Sequence, residues 1–157
     1  FRDGKPLPIN LEGLAVFHCG PVVSKEGEKW VAVAAGPTTS TRMDIFEDEF
    51  IKNFKVRVVI GKGGMGKKTT DAMAKYGAVY GAFTGGAAIL AAKAIKKVKG
   101  VEWLDLGTPE ALWIFEVEDF GPLAVAIDSH GNNLFMEVAK AVEENRKKIY
   151  QKLGLQP

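Results

Sequence analysis

The run Gly36-Pro37-Thr38-Thr39-Ser40-Thr41-Arg42-Met43-Asp44 places four consecutive hydroxyl side chains and an arginine directly after a Gly-Pro break. Met43, Phe46, Phe50 and Phe54 then recur at helical spacing, which predicts a helix over about 41–53. The first amides of such a helix lack intrahelical partners and carry the positive end of its dipole. An anion arriving there would meet backbone donors, hydroxyls and Arg42 together. A carboxylate or a phosphate suits that set. The same residues also read as an ordinary helix start, with Thr41 and Asp44 as a capping pair and Arg42 in water.

A second candidate is Gly61-Lys62-Gly63-Gly64-Met65-Gly66-Lys67-Lys68-Thr69-Thr70, which follows a β-branched run at 56–60. Glycines between a strand and a helix let backbone amides approach an anion closely, and Lys62 stands at the mouth of the loop. The loop is nearly a P-loop. That motif needs a hydroxyl directly after its lysine to ligate magnesium, whereas Lys68 holds that place and Thr69 comes one residue late. Nucleotide hydrolysis at 61–69, with Asp128 at the end of an apolar strand as its second element, stands as one competing reading, and a non-catalytic assembly module as another.

The other polar groups have simpler readings. His18 lies in a strand pattern without His, Cys or carboxylate neighbours at metal spacing, as a satisfied core or edge histidine would. His130 sits in a tight turn. Glu116, Glu118 and Asp119 close a strand and suit a solvated end. Cys19, the single cysteine, cannot form an internal disulfide and lies in an apolar run, which suits a buried, inert thiol.

These candidates need elements to hold them. Residues 1–10, with Gly4, Pro6 and Pro8, read as an extended arm, and strands are predicted at 14–19 and 30–35 around a polar turn at 24–29. Further on, the pattern gives a strand at 56–60, a short helix at 70–75, a strand at 78–83 and an alanine-rich helix at 87–98. Thr84-Gly85-Gly86 between these last two reads as small residues that let the helix pack close. Strands at 101–106, Leu112–Val117 and 123–127 follow. The last helix is capped by Asn132 or Asn133 and carries an apolar stripe of Phe135, Val138, Ala139, Val142, Ile149 and Leu153. This order breaks strict βαβ alternation, so the expected fold is α/β with a mixed sheet and more than two layers, one domain over residues 1–157.

With 157 residues, 46% of them hydrophobic, the chain can bury a real core. A net charge of +2 with the signs interspersed gives no electrostatic footprint for nucleic acid, and Lys93 to Lys99 reads as a solvated helix face. No stretch is long and apolar enough to suggest a membrane span and no secretory signal opens the chain, so a cytoplasmic protein is expected. Phe1 in place of Met points to further sequence upstream.

Three stretches together resemble one family. The Gly-Pro-Thr-Thr-x-x-Arg-Met-Asp string, Ile60-Gly61-Lys62-Gly63, and 115–122 with the downstream Asp128-Ser129-His130-Gly131-Asn132 are similar to the β subunit of class I fumarate hydratases and L-tartrate dehydratases. Gly4-Lys5-Pro6-Leu7-Pro8 and Gly20-Pro21-Val22 extend the likeness over nearly the whole chain. The resemblance implies a swivelling β/β/α three-layer domain that closes over a cluster-bearing α subunit, leaving homodimer and α2β2 assemblies both open. It implies reversible addition of water across a carbon–carbon double bond of a small dicarboxylate (fumarate, malate or tartrate). One iron of a [4Fe-4S] cluster on the α subunit would serve as Lewis acid. Cys19 alone could not hold such a cluster, and no metal site is expected on this chain. On this likeness Thr38 is the catalytic hydroxyl, and Thr39, Arg42 and Lys62 bind substrate. An Arg-Asp-Ala-Ala-His-like segment usual in the family does not occur here. Arg2-Asp3 does not replace it.

Overall fold

The computed structural model describes residues 6–155. Its centre is a four-stranded mixed sheet in the order β1-β4-β5-β8, formed by β1 (Ala15–Phe17), β4 (Val58–Gly61), β5 (Val79–Ala82) and β8 (Ala124–Ile127). The first three strands run parallel and β8 runs antiparallel, with Val58 paired to Ala15 on one side and Val79 on the other. β4 is buried along most of its length, which explains why it reads as an unbroken apolar run rather than an alternating one. Two hairpins complete the strands: β2 (Val22–Glu26) with β3 (Lys29–Ala34), and β6 (Ile95–Glu102) with β7 (Leu112–Val117). Trp30 and Trp113 meet edge to face across the two hairpins, ring centroids 5.3 Å apart.

Four α-helices accompany the sheets: α1 (Glu47–Phe54), α2 (Lys67–Tyr76), α3 (Ala88–Ala94) and α4 (Leu134–Lys152). α1 and α2 pack together, and Ile51, Met73, Val59, Tyr80 and Ile127 fill the larger core cluster. A second cluster of Ala35, Ile60, Phe83 and Ala91 joins β3, α3 and the ends of β4 and β5. The expected α/β class with a mixed sheet is what forms. Of the predicted arm at 1–10, residues 1–5 lie outside the described residues, while Leu7 and Ile9 pack against the larger core.

Several boundaries differ from expectation for physical reasons. The helix expected over 87–98 stops at Ala94, and Ile95–Glu102 is strand β6. Its register with β7 shifts twice, between Ile95 and Lys97 and between Val98 and Gly100. Those bulges leave Ile95, Val98 and Val101 three residues apart, a helical spacing within a strand. The polar turn expected at 24–29 is mostly strand, its residues up to Glu26 in β2 and Lys29 in β3, with the reversal confined to the two residues between, where Gly27 has φ 62°. The strand expected at 101–106 ends at Glu102 and gives way to a 3-10 turn over Leu104–Leu106. α4 is capped by Asn133 as expected, but Val138, Val142, Ile149 and Leu153 of its stripe are exposed.

Candidate active site

Two chain reversals lie side by side at the ends of β3 and β4. After Ala35 the chain turns at Gly36-Pro37 and Thr38 N–H donates to the His18 carbonyl at 2.7 Å. Thr39 then forms a parallel bridge with Lys62, in which Ser40 N–H donates to the Lys62 carbonyl at 2.8 Å and Lys62 N–H to the Thr38 carbonyl at 3.4 Å. The segment carrying Thr38 and Thr39 is therefore a short backbone extension of the sheet, laid against the loop that carries Lys62.

This corrects the expected helix start near residues 39–41. Ser40–Arg42 is a single 3-10 turn, and α1 begins only at Glu47. The amides of Thr38, Ser40, Arg42 and Met43 are all taken by carbonyls, so none of these four is left for an anion. The capping pair does not form either. Thr41 Oγ1 donates to the carbonyls of Gly63 and Gly64, and Asp44 accepts from Gly66 N–H at 2.9 Å and from Thr69 Oγ1 at 2.7 Å. Both residues lace the first reversal to the glycine loop.

Among the four expected site residues, Thr38 and Arg42 touch directly: Arg42 Nη2 donates to Thr38 Oγ1 at 2.6 Å. Thr39 packs its methyl toward Gly63, where an added Cβ would lie 3.2 Å from it. Lys62 is joined to Thr38 and Thr39 through its backbone, and its side chain runs over Gly85, where a Cβ would come within 3.6 Å of Cδ and 3.9 Å of Nζ. Gly85 was expected to serve close helix packing; it borders Lys62 instead. Thr38, Thr39 and Lys62 are half-buried and Arg42 is exposed; the Thr38–Arg42 link is made by side chains, the links to Lys62 by backbone.

The glycine loop is fixed from below. Gly63 and Gly64 hold φ of 80° and 73°, a region that suits glycine, and the Phe135 ring fills the space a Gly64 side chain would need. Buried Asn133 donates to the Met65 carbonyl at 3.0 Å and to Thr70 Oγ1 at 2.8 Å, while its own oxygen caps α4. These contacts overturn the P-loop reading. Thr69 is buried on Asp44, the Gly66 amide is spent on the same carboxylate, and Lys67 pairs with Asp71 at 2.8 Å. Asp128 is engaged in its own turn, where bonds from Asn132 hold its carboxyl below the usual range.

Elsewhere the polar groups are structural. Cys19 is half-buried and lines an apolar groove between β1 and β7, and burial pushes its thiol up to about 12. Glu116 pairs with Lys99 at 2.9 Å and Glu118 with Lys96 at 3.7 Å. No group of three or more His, Cys, Asp or Glu side chains among the described residues could hold a metal ion.

The family model for the Fumarase C-terminus matches residues 1–138. The chain belongs to that family. The L(+)-tartrate dehydratase subunit beta of Escherichia coli K12 is 47% identical to it over 149 residues, covering 95% of this chain and 74% of that protein. A putative L(+)-tartrate dehydratase subunit beta of Methanocaldococcus jannaschii is 45% identical over 154 residues, 98% of this chain and 75% of the relative. A putative fumarate hydratase class I of Geobacillus stearothermophilus is 45% identical over 135 residues, 85% of this chain and 26% of that longer protein. The Fumarase C-terminus match takes in both reversals, Asp44, Thr69, Asn133 and Phe135, while most of α4 lies beyond it. The resemblance read from the Gly-Pro-Thr-Thr-x-x-Arg-Met-Asp string is thus the right family. Asp44, Asn133 and Gly85 were missed as parts of the site. Asp44 had a signal, since it ends the same string, and Gly85 had one in the Thr84-Gly85-Gly86 loop before a helix; Asn133 comes from a distant segment and had none.

Proposed function

We propose that this chain is the β subunit of a class I hydro-lyase of the tartrate dehydratase and fumarate hydratase type, acting on a small dicarboxylate as one domain over residues 1–157. The observation that carries the reading is the Arg42–Thr38 contact at 2.6 Å beside the Lys62 loop, in a chain of this family. A dicarboxylate needs a cation for each end. Arg42 keeps further N–H donors after serving Thr38 and can grip one carboxylate bidentately, while Lys62 offers a mobile point charge to the other. Thr39, packed beside Gly63, adds a second hydroxyl.

Thr38 is the candidate for the proton-transfer step at the reacting carbon. A threonine hydroxyl holds its proton tightly. Arg42 donates to its oxygen, which leaves the hydroxyl proton outside that bond and favours the oxygen as it becomes negative. Dehydration would start from the Thr38 alkoxide, its own proton lost to water and its charge held by Arg42; Oγ1 takes the proton from carbon and ends as a neutral hydroxyl as hydroxide leaves, and hydration reverses both transfers.

The family implies a [4Fe-4S] cluster, and the residues described here do not suit one. Cubane ligation takes cysteine thiolates, and Cys19 is a single, strongly protonated thiol facing an apolar groove. We therefore assign the cluster to an α subunit, where it would supply Lewis acidity, and make activity conditional on that partner. Relatives named "subunit beta" support a separate partner chain. The cytoplasm suits such a complex, and no helix among the described residues is long and apolar enough to cross a membrane.

Co-expression with its α-type partner and anaerobic assay decide the matter. The complex should dehydrate L-tartrate or interconvert fumarate and malate, and this chain alone should do neither. A complex with an intact cluster that turns over none of the three would overturn the reading.

A further inference from the structure

Beneath the first reversal lies a row of buried polar side chains that binding and proton transfer do not use. Tyr80 O–H donates to Ser40 Oγ at 3.0 Å, Ser40 Oγ lies 2.9 Å from His18 Nδ1, and His18 Nε2 lies 3.2 Å from Glu47 Oε2. Tyr80 and Ser40 are fully buried, and the Glu47 side chain is 1% exposed. Neither Glu47 oxygen makes any other hydrogen bond among the described residues. A buried carboxylate with one partner is costly, so its retention calls for a reason beyond packing.

Serine, histidine and glutamate in hydrogen-bond reach have the composition of a hydrolase triad. The surroundings exclude that role. Ser40 has no exposure, and its hydroxyl occupies the space that a Cβ on Gly61 would need, so no substrate carbonyl can reach it.

The order of donors can be worked out link by link. The Tyr80 hydroxyl is the donor to Ser40 Oγ, so its proton goes to Ser40. Ser40, having accepted, sends its own proton to His18 Nδ1, and the histidine proton then sits on Nε2, aimed at Glu47. Glu47 opens the first turn of α1, where the helix dipole favours a carboxylate. A proton on Nδ1 instead would leave the Ser40 hydroxyl buried without an acceptor.

Ser40 is also two residues from both Thr38 and Arg42. Its amide is held by the Lys62 carbonyl, and its hydroxyl is held by residues from β5 and from just after β1. We propose that Tyr80, Ser40, His18 and Glu47 are positioning residues: a single file of hydrogen bonds from β5 to α1 that sets the turn bearing Thr38 and Arg42 against Lys62. The effect on turnover rests on the hydro-lyase reading; the file of bonds does not.

Two measurements test it. The chain has two histidines, and His130 is 83% exposed, so 15N-histidine NMR of the full chain resolves His18 by its protection. His18 should show a locked Nε2–H tautomer, and Ser40→Ala should release it into a tautomer mixture. In the complex with the α subunit, Ser40→Ala and Tyr80→Phe should fold yet lower kcat by roughly tenfold to a hundredfold, with a smaller change in KM, as a displaced catalytic group does. A proton on Nδ1, or folded variants whose kcat and KM match the parent, overturns the proposal. A parent complex inactive on every dicarboxylate while His18 remains locked overturns the hydro-lyase reading and the positioning role together, and leaves only the bond order standing.

Discussion

Arg42 reaches back four residues to donate to Thr38 Oγ1 at 2.6 Å, although the two are joined by a 3-10 turn and not by an α-helix. The contact makes the hydroxyl and the guanidinium one unit. Removing either therefore alters both the reacting atom and the charge beside it, and their effects should not add.

Thr38→Ala should lower kcat by about 10²–10⁴-fold with little change in KM, because the group acts on the proton in the transition state. Thr38→Ser keeps the oxygen and should retain a measurable part of the activity. Steady-state kinetics on the complex, with circular dichroism to confirm folding, checks both.

Arg42→Lys keeps the charge and loses the planar fork. It should raise KM and lower kcat together, each by roughly tenfold or more, since one ammonium cannot both hold Thr38 Oγ1 and grip a carboxylate bidentately. The double variant with Thr38→Ala should be little worse than the poorer single variant.

Lys62 and Gly85 give a paired prediction. A methyl at 85 meets Lys62 Cδ at 3.6 Å, an ordinary contact, so Gly85→Ala should leave KM near the parent value. Gly85→Leu must push the lysine aside, and its KM should rise toward that of Lys62→Ala, by about tenfold to a hundredfold as for loss of a bond to a charged group. Substrate saturation curves for the three variants separate these outcomes.

The sequence made the chemistry legible where function is local in the chain. Thr38 and Arg42 share one short string, and Lys62 stands in a glycine loop whose backbone demands are visible in its composition. What was hidden depends on distance. The hydroxyl of Thr41 and the carboxylate of Asp44 fit a helix cap equally well until the glycine loop is seen beside them. The apolar period of Met43, Phe46, Phe50 and Phe54 continues through a turn, which disguises the true start of α1 at Glu47. In β6 two bulges imitate a helical period. His18, just after β1, and Glu47, at the start of α1, meet at 3.2 Å across 28 intervening residues, a contact that no sequence spacing announces.

Cys19 should be inert in the native protein. Its thiol is pushed up from 9.0 to about 12 by burial, so almost none is thiolate near neutral pH and alkylation should be slow until the chain unfolds. The same shift carries a stability sign. The folded state holds the proton more tightly, so this contribution is complete below pH 9.0 and is lost as pH rises toward about 12. Cys19→Ala should flatten that alkaline loss, measured by denaturant midpoints between those limits.

Asn133 should prove a stability residue that also touches KM. Its oxygen accepts from the amides of Phe135 and Met136 to cap α4, and its amide group donates to Met65 and Thr70 beneath the glycine loop. Asn133→Ala removes both functions and leaves buried groups unpaired, so it should cost about 1–3 kcal/mol by chemical denaturation. Asn133→Asp keeps the cap but brings an acceptor against the Met65 carbonyl. It should therefore be destabilised despite an intact α4, and its KM should rise because the loop behind Lys62 has lost its anchor. A carboxylate variant as stable as the parent would mean that the cap alone, and not the tie to the loop, accounts for the asparagine.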